Sequence, residues 1–314
     1  MEAVRLPQAR VYSTHGVDDD VSRWERHNAE ELIALACDVP AEGFRALEVN
    51  LDLPQARLAL VRGTSHSVTR SAPLIEETSA RSIAVYAALR GEAVFEQAGR
   101  KRLIRPGQIV VCDPDKPFVR GFGHGLEELA ITVPWPRFEA VSGVAGLEAP
   151  IVVDAGRGGN PYGTALARLV RLALRREAAV PADDELVVEL ISMLVAGDRA
   201  DLTLAHRAAA KAFIEENLTD PGLGAVEVAA ATGISERHLS RVFAETGQSV
   251  PQYILARRLD AAHSRLTSSD AATLRTVDVA QAWGFTSPAY FSQAFRKRFG
   301  ETAGAVRRTS YLGS

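Results

Sequence analysis

Two cysteines in 314 residues, Cys37 and Cys112, are too few for a disulfide framework, and neither has metal-ligand neighbours. That scarcity suits a reducing compartment. No apolar run approaches the roughly 18 residues that a membrane-crossing helix needs. The opening stretch, MEAVRLPQARVYSTHGVDDD, has no basic segment followed by an apolar one. No secretory leader is therefore expected, and the expected location is cytoplasmic. Gly and Pro together supply 39 residues, too few for a collagen-like or Pro-rich filament. What remains is ordinary for a folded chain: 46% hydrophobic and 24% charged residues. The length suits two domains with a connecting module.

The net charge of −3 hides a polarity. Residues 205–314 carry 13 Lys/Arg against 10 Asp/Glu, while residues 1–204 carry 23 against 29. Between Thr286 and Phe299 stand Arg296, Lys297 and Arg298 and no acid. A basic helix on an acidic protein is the electrostatic footprint of a nucleic-acid contact.

The front of the chain reads as strands. GFRALEVNL, ARLALVRGTSHSVTR, SIAVYAALRGEAVFEQ, RKRLIRPGQIVVCD and LEELAITVPW are short and rich in Val, Ile and Leu, with turn residues between them. Their spacing predicts a barrel or sandwich. A helix over about 21–36 precedes them, with Trp24, Leu32 and Leu35 inward. From Pro161 the period becomes helical. Leu166, Leu169, Val170, Ala173 and Leu174 form an apolar stripe, and a second helix restarts after Pro181 and Asp183 and stops near Gly197. The stripe has two open uses. It covers the β domain, or it is a surplus face that forms a homodimer.

The C-terminal third repeats itself. Val228-Ala229-x3-Gly233-Ile234-Ser235 is echoed by Val279-Ala280-x3-Gly284-Phe285-Thr286, and Leu239-x3-Phe243 by Phe291-x3-Phe295. Each copy has helix-turn-helix logic. A small Ala allows a close crossing, Gly allows a left-handed turn, and Ser235 or Ser287 caps the following helix. Between the copies, residues 250–266 read as one amphipathic helix, long enough (about 25 Å) to hold two reading helices near one DNA turn apart.

These residues resemble the DNA-binding domain of the AraC/XylS family of bacterial transcription regulators. The most specific part is Gly284-Phe285-x-Ser287-x2-Tyr290-Phe291-x3-Phe295-x3-Phe299-Gly300. The departures are a closure one residue shorter in the first copy, Ala303-Gly304 where the family usually has Pro, and Gln293 where a basic residue is common. The resemblance implies DNA contacts from Ser235, Glu236, Arg237, His238, Ser240 and Arg241 in the first copy. In the second it implies Ser287, Ala289, Tyr290, Ser292, Gln293, Arg296 and Lys297. By their chemistry Arg237 and Arg241 suit guanine and Gln293 suits adenine, whereas Arg296, Lys297 and Arg298 suit phosphates.

Residues of about 40–140 resemble, more loosely, the cupin-like effector-binding barrel of one branch of that family. The features are Leu89-x-Gly91, Gly99-Arg100 and Leu103-x2-Pro106-Gly107-x-Ile109-Val110-x2-Asp113. A cupin oxygenase needs His-x-His with a later Glu and His. His66 and His124 stand apart, so neither a metal nor another cofactor is expected. Strand alternation offers His66, Tyr86, Phe95, Phe118 and Trp135 as walls of a ligand site.

The expected fold is α+β: a cupin-like β-barrel over 1–155, a helical linker or dimerisation segment over 156–202, and an all-α domain with two helix-turn-helix motifs over 203–314. The expected function is a DNA-binding transcription regulator, an activator, responsive to a small organic effector. Its expected partners are promoter DNA, RNA polymerase and a second copy of itself, with no membrane and a place on the bacterial nucleoid when bound. The rivals are a cupin-type binding protein or enzyme with a helical appendage, and a DNA-binding alkyltransferase, which would need an activated cysteine that neither Cys37 nor Cys112 resembles.

Overall fold

In the computed structural model, the residues described are 9–14, 20–40, 43–175, 180–199, 201–268 and 271–312. They fall into two units. One comprises Gln8–Leu174 and Asp183–Arg199; the other is built chiefly from Ala200–Ser314.

The first unit begins with β1 (Arg10–Ser13), α1 (Asp20–Glu31), β2 (Ala36–Asp38), β3 (Ala46–Asp52), β4 (Arg57–Gly63) and β5 (His66–Arg70). After α2 (Ala72–Glu77) come β6 (Ser82–Arg90), β7 (Ala93–Gln97), β8 (Arg100–Ile104), β9 (Gln108–Cys112), β10 (Phe118–Phe122) and β11 (Leu126–Pro134). It closes with α3 (Trp135–Ser142), β12 (Ile151–Asp154), α4 (Pro161–Ala173) and α5 (Asp184–Ala196). Two antiparallel sheets face each other, in the orders β1-β3-β4-β11-β6-β9-β12 and β2-β5-β10-β7-β8. This is a cupin-like β-sandwich.

Why β6 and β11 are apolar on both faces follows from the two-residue period of a strand. Ala84, Tyr86 and Ala130 point into the core between the sheets, with Val68, Phe95, Val110 and Phe118. Ile83, Val85, Leu129, Ile131 and Val133 alternate with them and are equally buried. Helices cover that second face: α3 and α4 lie against β11, and α5 packs on both. Asn160 and Asp183 cap α4 and α5, each accepting two backbone N–H bonds.

That packing decides the α4 stripe. Leu166, Leu169, Val170, Ala173 and Leu174 are all buried within the single chain. The reading that made them a surplus face for a dimer is corrected, because this chain's own sheet and α5 already cover them.

The second unit contains α6 (Leu202–Asn217), α7 (Ala225–Thr232), α8 (Glu236–Ala244), α9 (Val250–Leu266), α10 (Thr276–Ala282), α11 (Pro288–Phe299) and α12 (Ala303–Leu312). It has two small cores. Ile214, Val228, Ala229, Leu239, Phe243, Val250, Tyr253 and Ile254 make one. Leu259, Ala262, Leu266, Val279, Phe291, Phe295 and Phe299 make the other. The helix α9 gives its first half to one core and its second half to the other. A capping box of Ser249 and Gln252, with Pro251 in the first turn, starts it. Among the described residues no helix is long and apolar enough to cross a membrane.

Candidate nucleic-acid interface and barrel interior

Each helix-turn-helix is assembled by local chemistry. Gly233 ends α7 at φ +70°, and the Ser235 hydroxyl accepts the His238 N–H at 3.2 Å to start α8. Leu239, Val242 and Phe243 are buried. Ser235, Glu236, Arg237, Ser240 and Arg241 stay exposed, and His238 is half-buried against His206 of α6. In the second copy Gly284 turns at φ +75°, Ser287 accepts the Tyr290 N–H at 3.3 Å, and Pro288 occupies the first turn. Phe291, Phe295 and Phe299 point inward. Ser287, Ala289, Tyr290, Ser292, Gln293, Arg296 and Lys297 are exposed. Arg237 and Gln293 are thus both accessible.

Arg298 behaves differently from its two basic neighbours. Its Nε and Nη2 donate to the two carboxylate oxygens of Asp260 on α9, at 2.7 and 2.8 Å. Asp260 also lies 3.6 Å from Arg257, which donates from Nε to Glu215 of α6 at 2.5 Å. Arg298 therefore belongs to an internal strut, and Arg296 and Lys297 are the exposed members of that basic run. Arg258 adds another strut, donating to the carbonyls of Leu218 at 2.9 Å and Asp220 at 2.5 Å while its guanidinium lies beneath Gly284. Through these side chains α9 braces α11 on one side and α6 with the segment after it on the other, while α8 is held to α9 by their shared apolar core. Such buried multi-partner pairs fix geometry more dependably than they add stability.

The sandwich of the first unit encloses a cavity of about 40 Å³, lined by His66, Tyr86, Trp24, Asn28, Arg120, Phe122 and Glu128 among others. His66 and Tyr86 thus stand where alternation placed them. Phe95 and Phe118 do not line this cavity: they stack on each other in the core with centroids 5.8 Å apart. Trp135 does not line it either; it opens α3 beyond the end of β11 and rests edge-on against Phe138.

The polar heart of the interior was not legible in advance. Arg120 and Glu128 form a two-pronged pair at 2.8 and 2.5 Å, both side chains almost wholly buried. The Arg120 guanidinium sits 3.9 Å over the Tyr86 ring and 4.9 Å from that of Phe122. Among the described residues neither the Tyr86 hydroxyl nor Arg120 Nε has a hydrogen-bond partner. Burial pushes the Tyr86 hydroxyl upward, so it stays protonated and able to donate. His66 Nδ1 faces the Thr64 carbonyl at 2.8 Å, and burial lowers the ring's basicity; the neutral ring thus carries its proton there and leaves Nε2 as an acceptor. Nearby, Glu48 is fully buried and pushed up to about 7 by burial, against the Asn50 hydrogen bond that favours its charge. A second buried arginine, Arg70, is fully used by structure: it donates to the carbonyls of Pro114, Ala34 and Thr78 and to Asp115.

Among the described residues no three His, Cys, Asp or Glu side chains converge as metal ligands. Cys37 and Cys112 are both raised to about 12 by burial, the opposite of an activated thiol.

Comparison with known proteins follows the same division. The family model described as an AraC-binding-like domain matches residues 24–197, and one described as a helix-turn-helix domain matches residues 228–309. The transcriptional activator NphR of a Rhodococcus species is 29% identical over 270 residues, which is 80% of this chain and 77% of that protein. The transcriptional regulator Rob of Salmonella typhimurium is 38% identical over 101 residues, covering 31% of this chain and 33% of Rob. The crystal structure of the AraC-like transcriptional activator CuxR superposes with a TM-score of 0.50 at 18% identity, over 80% of this chain and 94% of CuxR, a likeness of fold.

Proposed function

Because this chain belongs to the AraC family of transcription regulators and is a DNA-binding protein of that kind, we propose that it activates transcription in response to a small organic effector held in its N-terminal sandwich. The observation that carries this reading is the doubled helix-turn-helix on one braced helix, with its polar reading residues exposed. In this reading α8 and α11 enter successive major grooves, Arg237, Arg241 and Gln293 meet base edges, and Arg296 and Lys297 meet phosphates. Activation is supported by the Rhodococcus relative, a transcriptional activator that matches most of the chain. It implies a contact with RNA polymerase.

The effector reading is supported by the sandwich interior, where a buried Arg–Glu pair, an unpartnered tyrosine hydroxyl and a histidine acceptor border a cavity. An effector acts only if it binds one state of the protein better than another; a shift of tenfold in DNA affinity needs about 1.4 kcal/mol of such preference. Homodimerisation remains part of the proposal, on a surface other than the α4 stripe.

The test is selection of duplexes from a random-sequence DNA pool, followed by titration of the selected duplex with salt. A two-part motif and a steep loss of affinity with rising salt are expected. A salt slope near zero, or no enriched motif, refutes the reading.

A further inference from the structure

Three side chains of the first helix-turn-helix region form a line that its sequence motif does not contain. His206, on α6, lies outside the motif. Its Nδ1 is 3.1 Å from Nε2 of His238, with the two rings edge to face at 5.0 Å. Nδ1 of His238 in turn is 2.7 Å from Nη2 of Arg241. All three are placed by helix packing: α6 lies against α8, and a separate pair between Arg207 and Glu245 at 3.2 Å ties the same two helices.

The chemistry of this line allows one arrangement of protons. A guanidinium has five N–H donors and no acceptor. Arg241 must donate, so Nδ1 of His238 is bare. A neutral His238 then carries its proton on Nε2 and donates it to Nδ1 of His206. That nitrogen must be bare as well, which leaves the His206 proton on its Nε2. Removing the acceptor at His206 releases His238 to take the other tautomer, with Nδ1–H aimed at Arg241. A proton added to either ring has the same result. In each case the guanidinium loses its anchor.

We propose that His206 is a positioning residue for DNA recognition: through His238 it fixes the guanidinium of Arg241 and so sets the base preference of the first reading helix. This rests on the DNA-binding role assigned to α8 above. One N–H of Arg241 is engaged by His238, and the other four remain for a base edge. A guanidinium held in place loses less freedom on forming a two-pronged contact with guanine than one that sweeps the surface. His206 touches no DNA in this scheme.

The experiment is selection from a random duplex pool by full-length wild type, His206→Leu, His206→Asn and Arg241→Ala, with each selected motif re-measured for discrimination at every base pair. Thermal melting of each variant verifies the fold. A two-pronged Arg contact discriminates against the wrong base by on the order of 10- to 100-fold. His206→Leu is expected to lose most of that at the base pair where Arg241→Ala loses it. His206→Asn is expected to keep it, since its side-chain oxygen can accept the Nε2–H of His238. The half of the motif read by α11 should be the same in all four proteins. Nitrogen-15 spectra of His238 in the wild type should show the Nε2–H tautomer, a readout that survives if His206→Leu fails to fold. A wild-type motif that His206→Leu or Arg241→Ala reproduces unchanged overturns the proposal, as does an Nδ1–H tautomer at His238. A wild type that enriches no motif overturns the DNA-reading function, and the proposal with it.

Discussion

Replacing Glu48 by Gln should make the protein more stable than wild type at pH 8 and should have its smallest effect of that sign near pH 5. Glu48 is fully buried on β3; one carboxylate oxygen takes the Asn50 amide at 2.5 Å, and the other has no hydrogen-bond partner among the described residues. Burial raises its pKa from 4.5 to about 7, with Glu31 and Glu128 adding to the rise. A carboxyl raised in this way binds its proton more tightly when folded than when unfolded. Stability is therefore highest below the unfolded value and falls as pH climbs through the window from about 4.5 to 7. At 1.36 kcal/mol per unit the full loss is about 3 kcal/mol. Gln cannot ionise, so the difference between variant and wild type should grow by about that amount between pH 5 and pH 8. His27, 3.8 Å from Glu48, and His66 are both depressed by burial and act in the opposite direction, losing stability as pH falls. Both are present in each protein, so the effect of His66 cancels in the difference; that of His27, which faces Glu48, is confined to the acid end of the range because burial lowers its basicity. The assay is urea unfolding across that pH range, followed by tryptophan fluorescence, since Trp24 is buried in the same core. A difference that stays flat, or that shrinks with rising pH, refutes the account of Glu48 as a carboxyl kept protonated by its surroundings.

Arg298→Ala should cost about 1–3 kcal/mol in thermal or urea unfolding, because buried Asp260 loses its two-pronged partner and keeps Arg257 at 3.6 Å, while the salt dependence of DNA binding keeps its slope; Lys297→Ala should leave stability alone and lower that slope by about one unit. The reverse pattern would return Arg298 to the phosphate contacts. Gly91→Ala should lower the urea midpoint by the equivalent of at least about 2 kcal/mol, whereas Gly99→Ala should cost about 1. Both have positive φ, but a Cβ at Gly91 would stand 2.3 Å from the Gly125 carbonyl oxygen and one at Gly99 would meet open space. Leu166→Ala should cost about 2–5 kcal/mol and leave the sedimentation behaviour of the folded protein unchanged. Loss of a dimer without loss of stability would show that the α4 stripe serves a partner after all.

Legibility followed the range of the interactions. The helix-turn-helix units could be read because capping serines, turn glycines and inward Leu and Phe lie within a dozen residues of one another and recur. The strands from β3 to β9, and β11, could be read because segments rich in Val, Ile, Leu or Phe recur there between turn residues such as Gly91, Gly99 and Pro106-Gly107. The strands β1, β2 and β12 could not be read because they are only three or four residues long and lie at sheet edges, too short for a period to show even where β12 reads Ile-Val-Val. In β10 the run is interrupted by Arg120 and Gly121. The interior site was opaque for the same reason. Arg120 looks like a surface residue until β10 and β11 place Glu128 opposite its guanidinium, and Arg298 looks like its neighbours Arg296 and Lys297 until α9 brings Asp260 to it. The α4 stripe is ambiguous in the sequence because an apolar helix face has the same appearance whether its cover comes from its own chain or from another.

One further consequence belongs to α9. Its 17 residues support both small cores of the helical unit at a fixed offset. An α-helix turns about 100° and advances about 1.5 Å with each residue. A single residue inserted near Arg258 would therefore swing everything downstream a quarter-turn around the rod, and seven would nearly restore the heading at a longer reach. On the proposed mode of binding, the tolerated gap between the two halves of an operator is encoded in the length of one helix, and insertions in the protein should be rescued by matching insertions in the DNA.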